Sequence, residues 1–151
     1  MSAYINVDDH FRTGLARDLA FMVLGDYKGA GTYRALFDHA TDPTLVVKVE
    51  TGTRSFSNVH EYEIWKAVQG TPWEKWFAPV VDISPAGMVL VMKRCEVATA
   101  RCLPDKVPAF FTDLKAENWG FLDGRPVCLD YGNHLLYERG MTTRMRKARW
   151  S

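Results

Sequence analysis

The dipeptide Asp123-Gly124 constrains this chain most. It stands between two short apolar runs, Trp119-Gly-Phe-Leu122 and Pro126-Val-Cys-Leu129. Asp-Gly in that setting predicts a β-hairpin with a two-residue turn, because the tight turn needs left-handed backbone that Asp tolerates and Gly prefers. A hairpin here fixes more than two strands. It folds Asn118, just before the first strand, and Asp130, just after the second, back to one end of the same ribbon. Asp113 lies in a polar turn immediately upstream. Oxygen-bearing side chains therefore converge, and hard oxygen donors suit Mg²⁺. The plainer role for the same residues is turn capping, which Asp and Asn also favour.

Upstream, Gly29-Ala30-Gly31 separates two strand-like pieces, the second over Tyr33 to Phe37. A glycine-rich hairpin lets backbone N–H groups approach phosphates closely. After an Asp42-Pro43 turn comes Leu45-Val-Val-Lys48-Val49, an apolar strand broken by one lysine. Such a lysine needs a buried partner or a sheet edge that faces water. The run alone leaves both placements open. Residues Ser57 to Gln69 then carry Glu61, Ile64, Trp65 and Val68 at helical spacing, one buried stripe. A glutamate on that stripe requires a cation, and Lys48 is the expected one. Glu63 falls on the solvated side, and Ser57 or Asn58 is the expected helix cap.

Thr71 to Trp76 reads as an irregular piece whose two tryptophans pack against the domain rather than form a ligand platform. Phe77 to Ile83 and Met88 to Met92 read as an antiparallel pair joined by Ser84-Pro-Ala-Gly87. Near the start, Asp8 to about Met22 reads as a helix capped by Asp8 or Asp9, with Phe11, Leu15, Leu19 and Met22 on one stripe. Past Gly132, Arg139, Arg144, Arg146, Lys147 and Arg149 follow one another without an acid, which fits a basic helix or a frayed tail, with a solvated helix favoured.

Composition removes several function classes. A net charge of +1 makes no electrostatic case for nucleic acid or a membrane surface. No apolar run approaches the roughly 20 residues of a membrane helix, and MSAYINVDDHF lacks the pattern of a signal peptide. Cys95, Cys102 and Cys128 show no C-x-x-C spacing, and the four histidines show no metal-ligand spacing. Reduced thiols in a cytoplasmic protein are expected.

Taken in order, these pieces resemble the protein-kinase-like family. The order is glycine turn, strand lysine, helix glutamate, strand pair, Asp113-Leu-Lys-Ala-Glu-Asn118, hairpin and Asp130-Tyr-Gly132. The resemblance spans about residues 24–132. It implies an α+β fold in a single domain, 1–151. A five-stranded antiparallel N-lobe sheet with one helix fills 24–94, catalytic and metal loops fill 95–132, and the C-lobe is vestigial. The helix within 1–23 and the basic tail 133–151 are expected to stand in for the lost C-lobe helices.

It also implies roles. Gly29 and Gly31 cover the phosphates of ATP, Lys48 holds them, and Glu61 holds Lys48. Met92 and Lys93 form the hinge for the adenine. Asp113 accepts the proton of the acceptor hydroxyl, Lys115 steadies the transferred phosphate, and Asn118 and Asp130 bind Mg²⁺. The chain departs from the pattern at Arg34, which replaces the third glycine, and at Phe111-Thr112, which replaces His-Arg. It also lacks Ala-Pro-Glu and room for an activation segment.

Three functions follow from the resemblance. One is a minimal phosphotransferase acting on a Ser/Thr hydroxyl of a protein substrate. Another is a pseudokinase-like module that captures or inhibits a partner protein without catalysis. The third is a small-molecule kinase or nucleotidyl transferase. A second copy or a partner protein is expected over the hairpin side, marked by an exposed apolar patch.

Overall fold

Apolar alternation and turn chemistry set the main sheet. The computed structural model describes residues 20, 22–51, 55–99, 102–132, 140 and 142–151. Strands β1 (Leu24–Ala30), β2 (Arg34–His39), β3 (Leu45–Glu50), β4 (Val80–Ile83) and β5 (Val89–Lys93) form a five-stranded sheet in the order β1-β2-β3-β5-β4. All neighbours run antiparallel. Helix α1 (Ser57–Val68) packs on β3, β4 and β5, so the architecture is mixed α+β. The second strand begins one residue later than expected and runs on to His39, β4 starts at Val80 instead of Phe77, and β5 is shifted by one residue from its expected place. Because β3 is central, Lys48 is not an edge lysine, and the water-facing alternative is excluded.

Side chains alternate along β3, so Val46, Lys48 and Glu50 share one face. That face meets α1, where Lys48 reaches Glu61 and Glu50 reaches the backbone of Asn58. The helix buries Glu61, Ile64, Trp65 and Val68, as their spacing predicts, and Glu63 is exposed. Its start differs from expectation. Phe56 takes the cap position with left-handed backbone (φ 54°) and offers no side-chain bond. The Glu50 carboxylate accepts the Asn58 N–H instead, at 2.7 Å. Asn58 is not available as a cap because its buried amide donates to the carbonyls of Lys48, Gly87 and Met88 at 3.2, 3.0 and 3.1 Å.

Beneath the sheet lie short strands β6 (Glu96–Val97), β7 (Lys106–Pro108), β8 (Trp119–Leu122), β9 (Arg125–Cys128) and β10 (Met145–Lys147). The expected hairpin is β8–β9, and its turn residues Asp123 and Gly124 have φ of 52° and 77°. β6 extends it on one side. An isolated bridge from Phe77 to Cys128, with the Ala78 N–H on the Cys128 carbonyl at 2.9 Å, fastens the hairpin to the segment leading into β4.

The tail departs from expectation. Its residues 142–151 do not form a solvated helix. β10 pairs with β7, and the chain then runs under the loop that carries Asp113. The Ala148 N–H donates to Asp105, the Ser151 N–H to Leu114, and the Ala116 N–H to Ser151, at 2.8, 3.0 and 3.0 Å. The physical reason is Trp150. Its ring packs edge-on to Trp119 at 5.1 Å and its N–H reaches the Pro104 carbonyl at 3.0 Å, so an apolar anchor outweighs the charge run. Arg139 lies outside the described residues. So does most of the N-terminal helix expected from Asp8, of which Ala20, Met22 and Val23 are helical. Part of the tail thus takes a bracing position.

One apolar cluster joins the layers, from Ile64, Trp65 and Val68 through Leu90 and Met92 to Phe110, Phe111, Leu114 and Trp119. Phe77 lies at its centre, with ring centroids of Phe111 and Tyr131 at 5.2 and 4.9 Å. Trp73 and Trp76 pack against this cluster, as expected. Among the described residues no helix is long and apolar enough to cross a membrane.

Candidate functional site

The site is built around one buried carboxylate. Glu61 is fully buried, and its Oε1 lies 2.5 Å from Lys48 Nζ. Arg34, from the start of β2, adds Nη1 to Oε1 at 3.2 Å and Nη2 to Oε2 at 3.1 Å. The backbone N–H groups of Tyr131 and Gly132 donate to Oε2 at 3.0 and 3.1 Å. Burial alone would raise the Glu61 pKa, but Lys48 and Arg34 outweigh it and hold the group at about 2. Burial also works against the charge on Arg34, and Glu61, Asp130 and Glu50 reverse that effect, so its pKa is raised. The expected Lys48–Glu61 pair is therefore present, within a larger network. Gly132 has a steric reason to be glycine, since a Cβ there would come within 2.8 Å of the Ser57 carbonyl oxygen.

The same network places Asp130. Lys48 Nζ also donates to the carbonyl of Leu129, directly before it. Arg34 Nη2 lies 2.7 Å from Asp130 Oδ1. Tyr131, directly after, is buried, and its hydroxyl donates to the Ala78 carbonyl at 2.8 Å. Burial, with Glu61 nearby, pushes that phenol well above its ordinary pKa, so it stays a neutral donor. The hairpin supplies Asn118 from the other side. Its carbonyl accepts the Leu129 N–H at 2.7 Å, which holds Asn118 and Asp130 at one end of the ribbon as the turn predicted. Asp113 and Lys115 come from the loop between β7 and β8, which the tail supports from below. Their charged atoms are 4.0 Å apart, with the side chains 44% and 55% exposed.

These residues share a cleft of about 350 Å³. Gly31, Arg34, Lys48, Asp113, Lys115, Asn118 and Asp130 line it. Glu61 sits behind it as the holder of Lys48. The remaining expected residues are not brought there. Gly29 pairs with Leu36 inside the β1–β2 ladder, so the cleft meets the turn at Gly31 to Tyr33. Met92 is buried in the core, and Lys93 is exposed with its N–H on the Pro79 carbonyl at 3.0 Å. The next N–H, of Arg94, is taken by Thr44 at 2.8 Å. The backbone donors of an adenine hinge are thus satisfied within the protein at these two positions.

Chemically, the cleft pairs cations on its walls with hard oxygens at its mouth. Lys48, Arg34 and Lys115 suit a polyphosphate, and the turn borders the cleft at Gly31, whose own N–H is bonded to the Arg34 carbonyl at 2.9 Å. Asp130, with one oxygen on Arg34 and its side chain 45% exposed, and Asn118 are donors of the type Mg²⁺ takes together with phosphate oxygens. The donor set fits ATP-Mg at its phosphate end. Two contributors were not expected from sequence. Arg34 appeared only as a missing glycine, and Asn58 only as a cap, although its amide oxygen accepts from Arg34 Nη1 at 3.1 Å. The available signal for Arg34 was a charged residue entering a strand otherwise apolar as far as Phe37. No family model and no curated protein matches the chain.

Proposed function

We propose that this chain is a minimal protein-kinase-like phosphotransferase that binds ATP-Mg and transfers the γ-phosphate to a Ser/Thr hydroxyl of a protein substrate. The observation that carries the reading is the buried Lys48–Glu61 pair facing a cleft that also holds Asp113, Lys115, Asn118 and Asp130. Phosphoryl transfer asks for positioning and charge neutralisation more than for covalent chemistry. Lys48 holds the phosphates, and Glu61 keeps it aimed. Asp130 and Asn118 hold Mg²⁺, which neutralises phosphate charge when bound. Asp113 accepts the acceptor's proton from an exposed position that a protein hydroxyl can reach. Lys115 stands beside it to steady the transferred group. On this reading the sheet is a kinase N-lobe, the tail brace replaces part of the lost C-lobe, and the protein works in the cytoplasm.

A second reading is a pseudokinase-like binding protein that captures a partner without catalysis. The inward-bonded N–H groups of Lys93 and Arg94 favour it, since they offer no backbone donor to an adenine at those two positions. The exposed large apolar side chains come from separate elements, with Tyr27 on β1, Val81 on β4, Val97 on β6 and Met145 on β10. Calorimetry of ATP binding, with and without Mg²⁺, separates the readings. The expected result is magnesium-dependent binding that Asp130→Asn abolishes, with Asp113→Ala retaining binding and losing transfer. Absence of binding in the wild type overturns the phosphotransferase.

A further inference from the structure

The phosphotransferase reading leaves one strong contact unused, the cation that holds Asp130. Arg34 Nη2 lies 2.7 Å from Asp130 Oδ1 and 3.1 Å from Glu61 Oε2. The Arg34 side chain is 10% exposed, against 45% for Asp130. A guanidinium cannot shed its proton in a protein, so this charge is permanent. Within this network the charges balance, with Lys48 and Arg34 against Glu61 and Asp130. A divalent ion arriving alone at Asp130 places two further positive charges beside Arg34, and the other acids of the cleft, Asp113 and Glu117, belong to the loop that also carries Lys115. Repulsion at that range, in a partly buried cleft, is far stronger than in bulk water.

A bare ion also finds few protein ligands gathered at one point. Among the described residues no group of three or more His, Cys, Asp or Glu side chains is placed to hold a metal. A polyphosphate changes both conditions. Its oxygens offset Arg34, Lys48 and Lys115, and they fill the coordination that Asp130 and Asn118 leave open.

We propose that Arg34 makes this cleft accept a divalent cation only in company with a polyphosphate. Arg34 occupies Asp130 against the free ion and yields to the ion–nucleotide complex. The inference rests on the phosphotransferase reading and adds a selectivity residue to it, at the position where the family pattern has glycine.

The test is a Mn²⁺ titration followed by electron paramagnetic resonance, with Mn²⁺ alone and with the β,γ-imido analogue of ATP. Wild type should bind the complex and bind the bare ion weakly. Arg34→Gln should bind bare Mn²⁺ at least about tenfold more tightly than wild type. Adding Asp130→Asn to that variant should remove the gain. Arg34→Lys, which keeps a cation beside Glu61, should fall between, and it decides the matter if Arg34→Gln does not fold. Bare Mn²⁺ bound equally by wild type and both Arg34 variants overturns the inference. So does a gain that survives Asp130→Asn, or a wild type that binds the bare ion as tightly as the complex. A wild type that binds neither ion nor complex overturns the nucleotide reading as well, so the two failures are distinguishable.

Discussion

The main sheet and the floor beneath it are held by different kinds of contact. In the sheet, β1–β2, β2–β3 and β4–β5 join strands consecutive in sequence, and only the β3–β5 pairing skips a strand, with α1 also between them. In the floor, the loop carrying Asp113 is bonded to the last residues of the chain, through Asp105 to Ala148 and Leu114 to Ser151. The sheet can assemble from local hairpins. The floor needs a chain end to return across a long loop, and closing that loop costs entropy before any contact repays it. The cleft lies between the two, so its inner cations, Arg34 and Lys48, come from the locally built part, and Asp113 with Lys115 from the loop held at long range.

Glu61 is where the regions meet, and changing it should have the largest effect. It takes cations from β2 and β3 and backbone donors from Tyr131 and Gly132 below. Glu61→Gln leaves Lys48 and Arg34 buried without their shared anion, a loss of about 3–5 kcal/mol. That is a large share of an ordinary domain's stability. Denaturant unfolding measures it. The same carboxylate sets an acid limb. Its pKa in the fold is about 2, below the ordinary 4.5, so folding favours the charged form. That stabilisation is complete above about pH 5 and is lost as pH falls from about 4.5 towards 2. Glu61→Gln should flatten this limb. A variant as stable as wild type, with the same acid limb, would mean that the two regions are joined by the aromatic cluster and not by the charge network.

Trp150→Ala tests the floor alone. Removing a partly buried indole that packs on Trp119 should cost about 2 kcal/mol, less than a full core truncation. Hydrogen exchange gives the sharper reading. The Ala116 amide, bonded to Ser151, should lose protection, while amides of β3 should exchange as before at conditions where the variant is still folded. Equal loosening of β3 would show that sheet and floor unfold as one unit.

What could be read in the sequence follows the same division. The hairpin at Asp123-Gly124, the stripe containing Glu61 and the lysine in β3 were legible because turn chemistry and periodicity are local. Lys48 and Glu61 are 13 residues apart, on consecutive elements of the described chain. Arg34 and Asp130 are 96 residues apart, and nothing near either one announces the other. The tail misled for a related reason. Its basic residues are a stronger local signal than one tryptophan, yet Trp150 and the unpaired edge of β7 decide where it goes. Asn58 was read as a cap because Asn is common at caps, and its three carbonyl partners are visible only once β3 and the β4–β5 turn are in place. The Met92–Lys93 hinge was carried by resemblance alone, and there the backbone bonds turn inward.

The smallest expected effect examines how firmly the floor is built. In the β7–β10 ribbon Lys147 stands directly opposite Lys106, and both are exposed. Like charges directly across an antiparallel pair destabilise it, and opposite charges contribute roughly 0.2–1 kcal/mol. Lys147→Glu should therefore stabilise the protein by about 0.5 kcal/mol at low salt, raising the melting temperature by about 1–2 °C for a domain of this size. The gain should fade as salt screens the pair. A gain that persists in high salt would point to strand propensity or chain-end effects in place of the pairing. No gain at low salt would mean that the two lysines do not face each other in solution. The tail would then touch the floor mainly through Trp150, and the contrast between a local sheet and a long-range floor would rest on one side chain instead of a ribbon.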